Sequence, residues 1–288
     1  MKLALGTVQF GLPYGIANRT GQVSTAQAQA MLQLASARGI DTLDTAIAYG
    51  DSEACLGAVG SQDFKVVTKL PSLPNACADV GAWVQQQVDA SLSRLGVTAV
   101  YGLLLHRSEQ LLGPHGSALF RALKALQDRG VVQKLGVSIY SPTELAALIP
   151  RFRFDLVQAP FNLIDRRLHT SGWMQRLKED GVEVHTRSAF LQGLLLMARA
   201  DQPDKFARWS GLWKKWSDWL IEHDSSAVEA CLAYPLRHPE IDRVVVGADS
   251  VSQLAQIVNA ASAAPPLDLP DLRCDDEMLI NPSLWSKL

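Results

Sequence analysis

The sequence has no surplus of basic residues, no long apolar run and no closely spaced cysteines. Its 27 Lys and Arg stand against 29 Asp and Glu, a formal net charge of -2. That leaves no cationic excess to neutralise a phosphate backbone, so nucleic acid is not expected as a partner. The longest apolar stretches, such as Phe190 to Ala198, fall far short of the roughly 20 residues that span a bilayer. The opening MKLALGTVQFG breaks at Gly6 and Thr7, too early for the apolar core of a secretory signal. Cys55, Cys77, Cys231 and Cys274 form neither a CxxC nor a Cys/His cluster, which points away from zinc and from a disulfide framework, and no metal is expected. Reduced cysteines and no membrane segment suggest a cytoplasmic protein. No GxGxxG follows a strand-like run, so the phosphate loop of a Rossmann domain is missing.

What is present is a regular alternation. Short apolar runs read as strands at Lys2–Leu5, Ile40–Leu43, Lys65–Thr68, Val100–Leu105, Lys134–Val137, Leu156–Gln158, Val182–His185 and Arg243–Val246. Helical periodicity falls between them, near Thr25–Arg38, Ser52–Val59, Val80–Leu95, Ser117–Arg129, Pro142–Leu148, Ser171–Asp180, Ala227–Arg237 and Val251–Ala261. Ser24 is placed to cap the first helix, Gly39 to end it, and Ser141 before Pro142 to start the fifth. Eight βα units without a linker-like tract predict a single α/β domain over 1–288, a (β/α)8 TIM barrel, with a doubly wound sheet as the alternative. With 288 residues, 48% of them hydrophobic, the chain can bury a core of that size.

Lys205 to His223 is extra to this pattern. Phe206, Trp209, Trp213, Trp216, Trp219 and Leu220 share one side of a helix there. A tryptophan platform for sugars is one reading, but aromatic residues at helical spacing usually serve burial, so an amphipathic helix packed on the barrel between strand seven and its helix is expected. The Pro-rich tail, 264–288, is expected near the barrel mouth.

Asp44 and Tyr49 in DTLDTAIAYGDSE, Lys69 in KVVTKL and His106 in YGLLLHRS lie at the carboxyl ends of three successive strand-like runs. Parallel barrels place catalytic groups at that end. These are also the residue types a carbonyl reductase needs. Taken singly, each has a plainer role: a turn cap, a rim aromatic, a solvated strand end, a core histidine.

Eight segments resemble the aldo-keto reductases in family order: GTVQFG at Gly6–Gly11, DTAIAYGDSEACLG at Asp44–Gly57, VVTKL at Val66–Leu70, LLLHRS at Leu103–Ser108, QKLGVSIYS at Gln133–Ser141, VQAPFNLIDRR at Val157–Arg167, RSAFLQGLL at Arg187–Leu195 and VVVGADSVSQL at Val244–Leu254. The opening GTVQFGLPYGIANRTG and the closing INPSLW are similar to a subgroup found with bacterial polysaccharide-biosynthesis enzymes. The resemblance implies reduction of an aldehyde or ketone to an alcohol. Negative charge then builds on the carbonyl oxygen, which calls for a donor that keeps its proton at neutral pH until the charge develops. A phenol does so, and a neighbouring ammonium eases its ionisation. The implied roles are therefore Tyr49 as proton donor, Lys69 as its activator, Asp44 as the anchor of Lys69, and His106 as the group orienting the substrate oxygen.

Hydride must come from a cofactor. The resemblance implies a nicotinamide dinucleotide extended across the barrel mouth. Gly6, Thr7 and Asp44 would lie at its reactive end, Ser138 and Gln158 on the carboxamide with Asn162 nearby, Ser188, Phe190, Gln192 and Gly193 along the pyrophosphate, and Gly247, Ala248 and Gln253 toward the adenosine. Three departures stand out: Ile139 replaces a common asparagine, Arg187 takes the place of an aromatic ring that stacks on the nicotinamide, and Asp249 occupies a stretch where NADPH users carry Lys or Arg. A guanidinium can itself stack. NADPH is expected on the resemblance, and Asp249 leaves NADH open, because a carboxylate beside a phosphate is repulsive. Phe10, Tyr14 and Trp285 are candidate substrate walls beside His106, for a small, sugar-derived or simple carbonyl compound. Two other classes stay open: a cofactor-binding regulatory protein on the same scaffold, and a lyase or isomerase using Lys69 as a Schiff-base nucleophile.

Overall fold

A computed structural model describes residues 1–263 and 268–288. Eight parallel strands close into a barrel in sequence order: β1 (Leu3–Gly6), β2 (Thr42–Asp44), β3 (Lys65–Leu70), β4 (Val100–Leu105), β5 (Val132–Ser138), β6 (Leu156–Pro160), β7 (Glu183–Arg187) and β8 (Arg243–Gly247). Closure is made by β8 on β1, with Leu5 opposite Val246 and Gly6 opposite Gly247. The architecture is the (β/α)8 barrel that the alternation of periods predicts, and the doubly wound alternative falls away because that sheet keeps two free edges.

The outer ring comprises α1 (Thr25–Ala37), α2 (Ser52–Val59), α3 (Val80–Leu95), α4 (Gly116–Asp128), α5 (Thr143–Leu148), α6 (Trp173–Glu179), α7 (Ser210–Glu222), α8 (Ala227–Leu236) and α9 (Val251–Ser262). The third shows why these segments are helical. Val80, Val84, Val88, Ser91 and Leu95 recur along one buried face, Asp79 caps the start by accepting from Ala82 N, and Gly96 ends it at φ 65°. Boundaries shift where side chains take over from periodicity. Ser141 lies ahead of α5, where the Glu144 carboxylate accepts from the backbone N–H groups of Tyr140 and Ser141. Strand β3 runs to Leu70 rather than stopping at Thr68, so Lys69 belongs to the strand.

At the amino end of the barrel, Glu183 accepts from Tyr101 and His185 and pairs with Lys134. Burial opposes its charge, but these donors hold its carboxyl well below the usual range. This polar cluster fills the end away from the candidate site.

The extra segment winds into α7 with Trp213, Trp216 and Trp219 buried. Trp213 and Trp216 donate their indole N–H groups to Phe206 O and Leu195 O, which uses the polar edge that a sugar platform would present. Of the tail, 264–267 lie outside the described residues. Beyond them Pro270 O accepts from Arg166, Cys274 N donates to Ile164 O, and Pro282 and Ser283 reach the barrel mouth. No helix among the described residues is long and apolar enough to cross a membrane.

Candidate active site

A cavity of about 650 Å³ opens at the carboxyl ends of the strands. Asp44 at the end of β2, Tyr49 in the loop after it and His106 directly after β4 line one end. Lys69 stands behind them, its side chain 1% exposed. Its Nζ donates to Asp44 Oδ1 at 2.7 Å and to Thr45 O at 2.8 Å, and lies 5.0 Å from the centre of the Tyr49 ring. The Tyr49 and His106 rings meet edge to face at 5.8 Å. The four residues that the sequence sets at three separate strand ends therefore converge on one point.

The electrostatics of that point are coherent. Burial disfavours the Lys69 ammonium, yet the Asp44 carboxylate and the Tyr49 phenol more than offset the penalty, so its pKa sits above that of an ordinary lysine. His106 is pushed the other way, down to about 4, by burial and then by the positive charges of Lys69 and Arg187. At neutral pH it is an uncharged imidazole with one N–H to donate.

Close packing places the Tyr49 loop. Ser52, the first residue of α2, donates to Thr7 O at 2.8 Å, and its Oγ lies 2.9 Å from Thr7 Oγ1 and 3.0 Å from Thr45 Oγ1. Buried Glu53 accepts from Thr68, Ser91 and Arg94, pinning α2 to β3 and α3. Gly11 is required at the contact, because a Cβ there would fall 1.8 Å from Tyr49 O. Composition and period give no sign of these supports; GTVQFG and YGDSE carry them only as motif letters.

The loop after β7 forms a second wall. Ser188, Leu191 and Gln192 have φ of 64°, 48° and 54°, values that L-residues rarely adopt, next to Gly193 at 90°. Such backbone persists where the surroundings over-determine it. Here Asn162 Nδ2 donates to Ser188 O, Ile16 N donates to Gln192 O, and Gln192 Nε2 donates to the Tyr14 hydroxyl at 3.0 Å.

The cavity runs on past Ser138, Ser188, Phe190, Gln192 and Gly193 to Gly247, Ala248 and Gln253, with Gly6 and Thr7 on its floor. Four expectations change. Gln158 is fully buried and donates to Asp44 Oδ2 at 2.6 Å, so it holds the carboxylate from behind the cavity wall. Asn162 is also fully buried and props the Ser188 loop from outside. Phe10 is 0% exposed, and Trp285 packs on Phe206 with its indole N–H on Leu279 O, so both are core rather than substrate walls. Gln158, Asn162 and Trp285 each have a partner far away in sequence, in Asp44, Ser188 and Phe206. Arg187 does line the cavity, and it lies over the Tyr140 ring at 4.9 Å while donating to Ile139 O at 3.0 Å. Tyr140, Gln9, Asn18 and Gln256 are lining residues that sequence reasoning did not pick out.

This arrangement sets a tyrosine ring, beside a buried lysine–aspartate pair, in the wall of a cavity of about 650 Å³. The sequence matches the aldo/keto reductase family over residues 2–271. The chain belongs to that family of oxidoreductases. Among curated relatives it is 27% identical over 279 residues to the 6-dehydroglucose reductase of Agrobacterium fabrum, covering 90% of each chain. It is 25% identical over 257 residues to the uncharacterized oxidoreductase YqkF of Bacillus subtilis, covering 82% of this chain and 83% of that one. Among solved structures, the holo form of the aldo-keto reductase AKR11C1 from Bacillus halodurans superposes with a TM-score of 0.73 at 22% identity, covering 92% of this chain and 88% of that one. That likeness is one of fold.

Proposed function

We propose that this protein reduces an aldehyde or ketone to an alcohol with a nicotinamide dinucleotide, using Tyr49 as proton donor. The observation that carries the reading is the convergence of Asp44, Lys69, Tyr49 and His106 at one end of a cavity lined by residues of the β1, β2, β4, β5, β7 and β8 ends. The coenzyme supplies the hydride, which no side chain can.

The residues present fit such a group. The cavity volume suits a large ligand. Gly247 lines it beside the Gln9 amide, whose Nε2 would lie 2.5 Å from a Cβ at that position. The Ser188–Gly193 loop along this wall is strained at Ser188, Leu191 and Gln192. Neutral His106 donates an N–H to the carbonyl oxygen and keeps it pointed at Tyr49. Tyr49 releases its proton to that oxygen as charge develops there, and the Lys69 ammonium stabilises the phenolate left behind. Asp44 keeps the ammonium charged, Thr45 O helps to fix it, and Gln158 holds the Asp44 carboxylate.

A Schiff-base role for Lys69 needs a free neutral amine, whereas its Nζ is held by Asp44 and Thr45 in the buried wall. A purely regulatory role leaves the assembled proton donor without a purpose. The name of the Agrobacterium relative supports a sugar-derived aldehyde as the substrate class, and a diffusible coenzyme with a small carbonyl compound fits an enzyme of the cytoplasm. Steady-state consumption of reduced coenzyme with a panel of simple and sugar aldehydes tests the reading. Turnover of a sugar aldehyde supports it, while trapping of a lysine adduct by borohydride without coenzyme-dependent turnover would reject it.

A further inference from the structure

Charge is unevenly distributed along the cavity. Among the described lining residues the charged groups are Asp44, Arg187 and Asp249. Asp44 is matched by Lys69. Arg187 is committed near the reacting end, over the Tyr140 ring and on Ile139 O. The far end, at the start of α9, is left with Asp249 and no cation.

The immediate surroundings of Asp249 are amides. Asn18 Nδ2 donates to its Oδ1 at 3.2 Å, and Gln9 also hydrogen-bonds the carboxylate. Burial pushes the acid's pKa up, with the Gln9 hydrogen bond acting against that. The positive end of α9 is occupied by the protein's own acceptors: Ser250 Oγ takes Gln253 N at 3.2 Å, and Gln253 Oε1 takes Asp249 N at 2.7 Å. A phosphate arriving here would find the helix terminus already capped and a partly desolvated carboxylate facing it.

If the reductase reading above holds, the reacting ring must lie at Tyr49 and His106, and the remaining extent of the cavity puts the adenosine end of a dinucleotide beside Asp249. We propose that Asp249 makes this protein selective for NADH over NADPH, its carboxylate accepting from the hydroxyls of the adenosine ribose and repelling a 2'-phosphate. This reverses the NADPH expectation drawn from the family resemblance. The physical reason is that a carboxylate with spare lone pairs and no counter-ion complements hydroxyl donors and opposes a phosphate dianion.

Isothermal titration of the protein with NADH, NADPH, ADP-ribose and 2'-phospho-ADP-ribose tests this without turnover. NADH is expected to bind at least about tenfold more tightly than NADPH, with the same order for the two ADP-ribose probes. In Asp249→Asn and Asp249→Ser, checked for an unchanged melting temperature, the gap should narrow, chiefly because NADPH binds better. Equal or tighter binding of NADPH to the unaltered protein would overturn the inference and leave the reductase reading standing, as would variants that keep the full gap. Failure of both coenzymes to bind would instead overturn the reductase reading, and this inference with it.

Discussion

Lys69 Nζ and Asp44 Oδ1 lie 2.7 Å apart, with 1% and 6% of their side chains exposed. A pair this dry is held by mutual compensation, because either charge alone would meet a large desolvation penalty. Lys69→Met removes the cation and leaves Asp44 with Gln158 as its remaining side-chain donor. The expected loss of stability is about 3–5 kcal/mol, read from the urea midpoint at pH 7. The double variant Lys69→Met/Asp44→Leu should recover much of that loss while remaining inactive. A single variant as stable as the unaltered protein would contradict the account of the pair.

Tyr49→Phe removes one oxygen and keeps the ring that meets His106 edge to face. We expect kcat for carbonyl reduction to fall by roughly 100-fold or more, with the coenzyme Kd changed by less than about twofold. Stopped-flow turnover and fluorescence titration separate the two quantities. Retained turnover would remove the phenol from the mechanism.

His106 and His238 both have folded pKa values of about 4, lowered first by burial and then by neighbouring cationic groups, Lys69 for the one and His169 for the other. An unfolded imidazole titrates near 6.5. As pH falls through that value the unfolded chain takes up protons that the folded chain refuses, so their contribution to stability is complete above about 6.5 and is lost progressively toward 4. The urea midpoint should decline over that window, and His238→Gln should flatten the decline. An unchanged slope in the variant would show that His238 titrates normally in the fold. The same shift predicts that the acid limb of kcat/KM does not fall near 6.5.

Gly11→Ala tests how the proton donor is placed. The added Cβ would fall 1.8 Å from Tyr49 O and 2.4 Å from Ser52 N, so the Tyr49 loop must move. A stability loss of about 1–3 kcal/mol is expected, with a drop in kcat larger than the change in coenzyme affinity. Full activity would mean that the loop has more room than this contact allows.

The eight βα units were legible because parallel strands buried on both faces leave short apolar runs, and the helices between them leave a 3.6-residue period. The position of Asp44, Tyr49, Lys69 and His106 at strand ends was legible too, since a closed barrel brings all eight ends to one mouth. The inward turn of Gln158, Asn162 and Trp285 was not, because Asp44, Ser188 and Phe206, which they meet, are distant in sequence. Nor could any local pattern show that Ser188, Leu191 and Gln192 take positive φ.

The sequence by itself determined the barrel, its order of elements and the chemistry available at its mouth, since periodicity and residue type are local properties. Tertiary structure decided which of those groups share a cavity, that His106 is neutral and Lys69 charged, and that among the described lining residues Asp249 has amides but no cation for company. Those properties depend on distance and dielectric, which come into being only when the chain closes on itself.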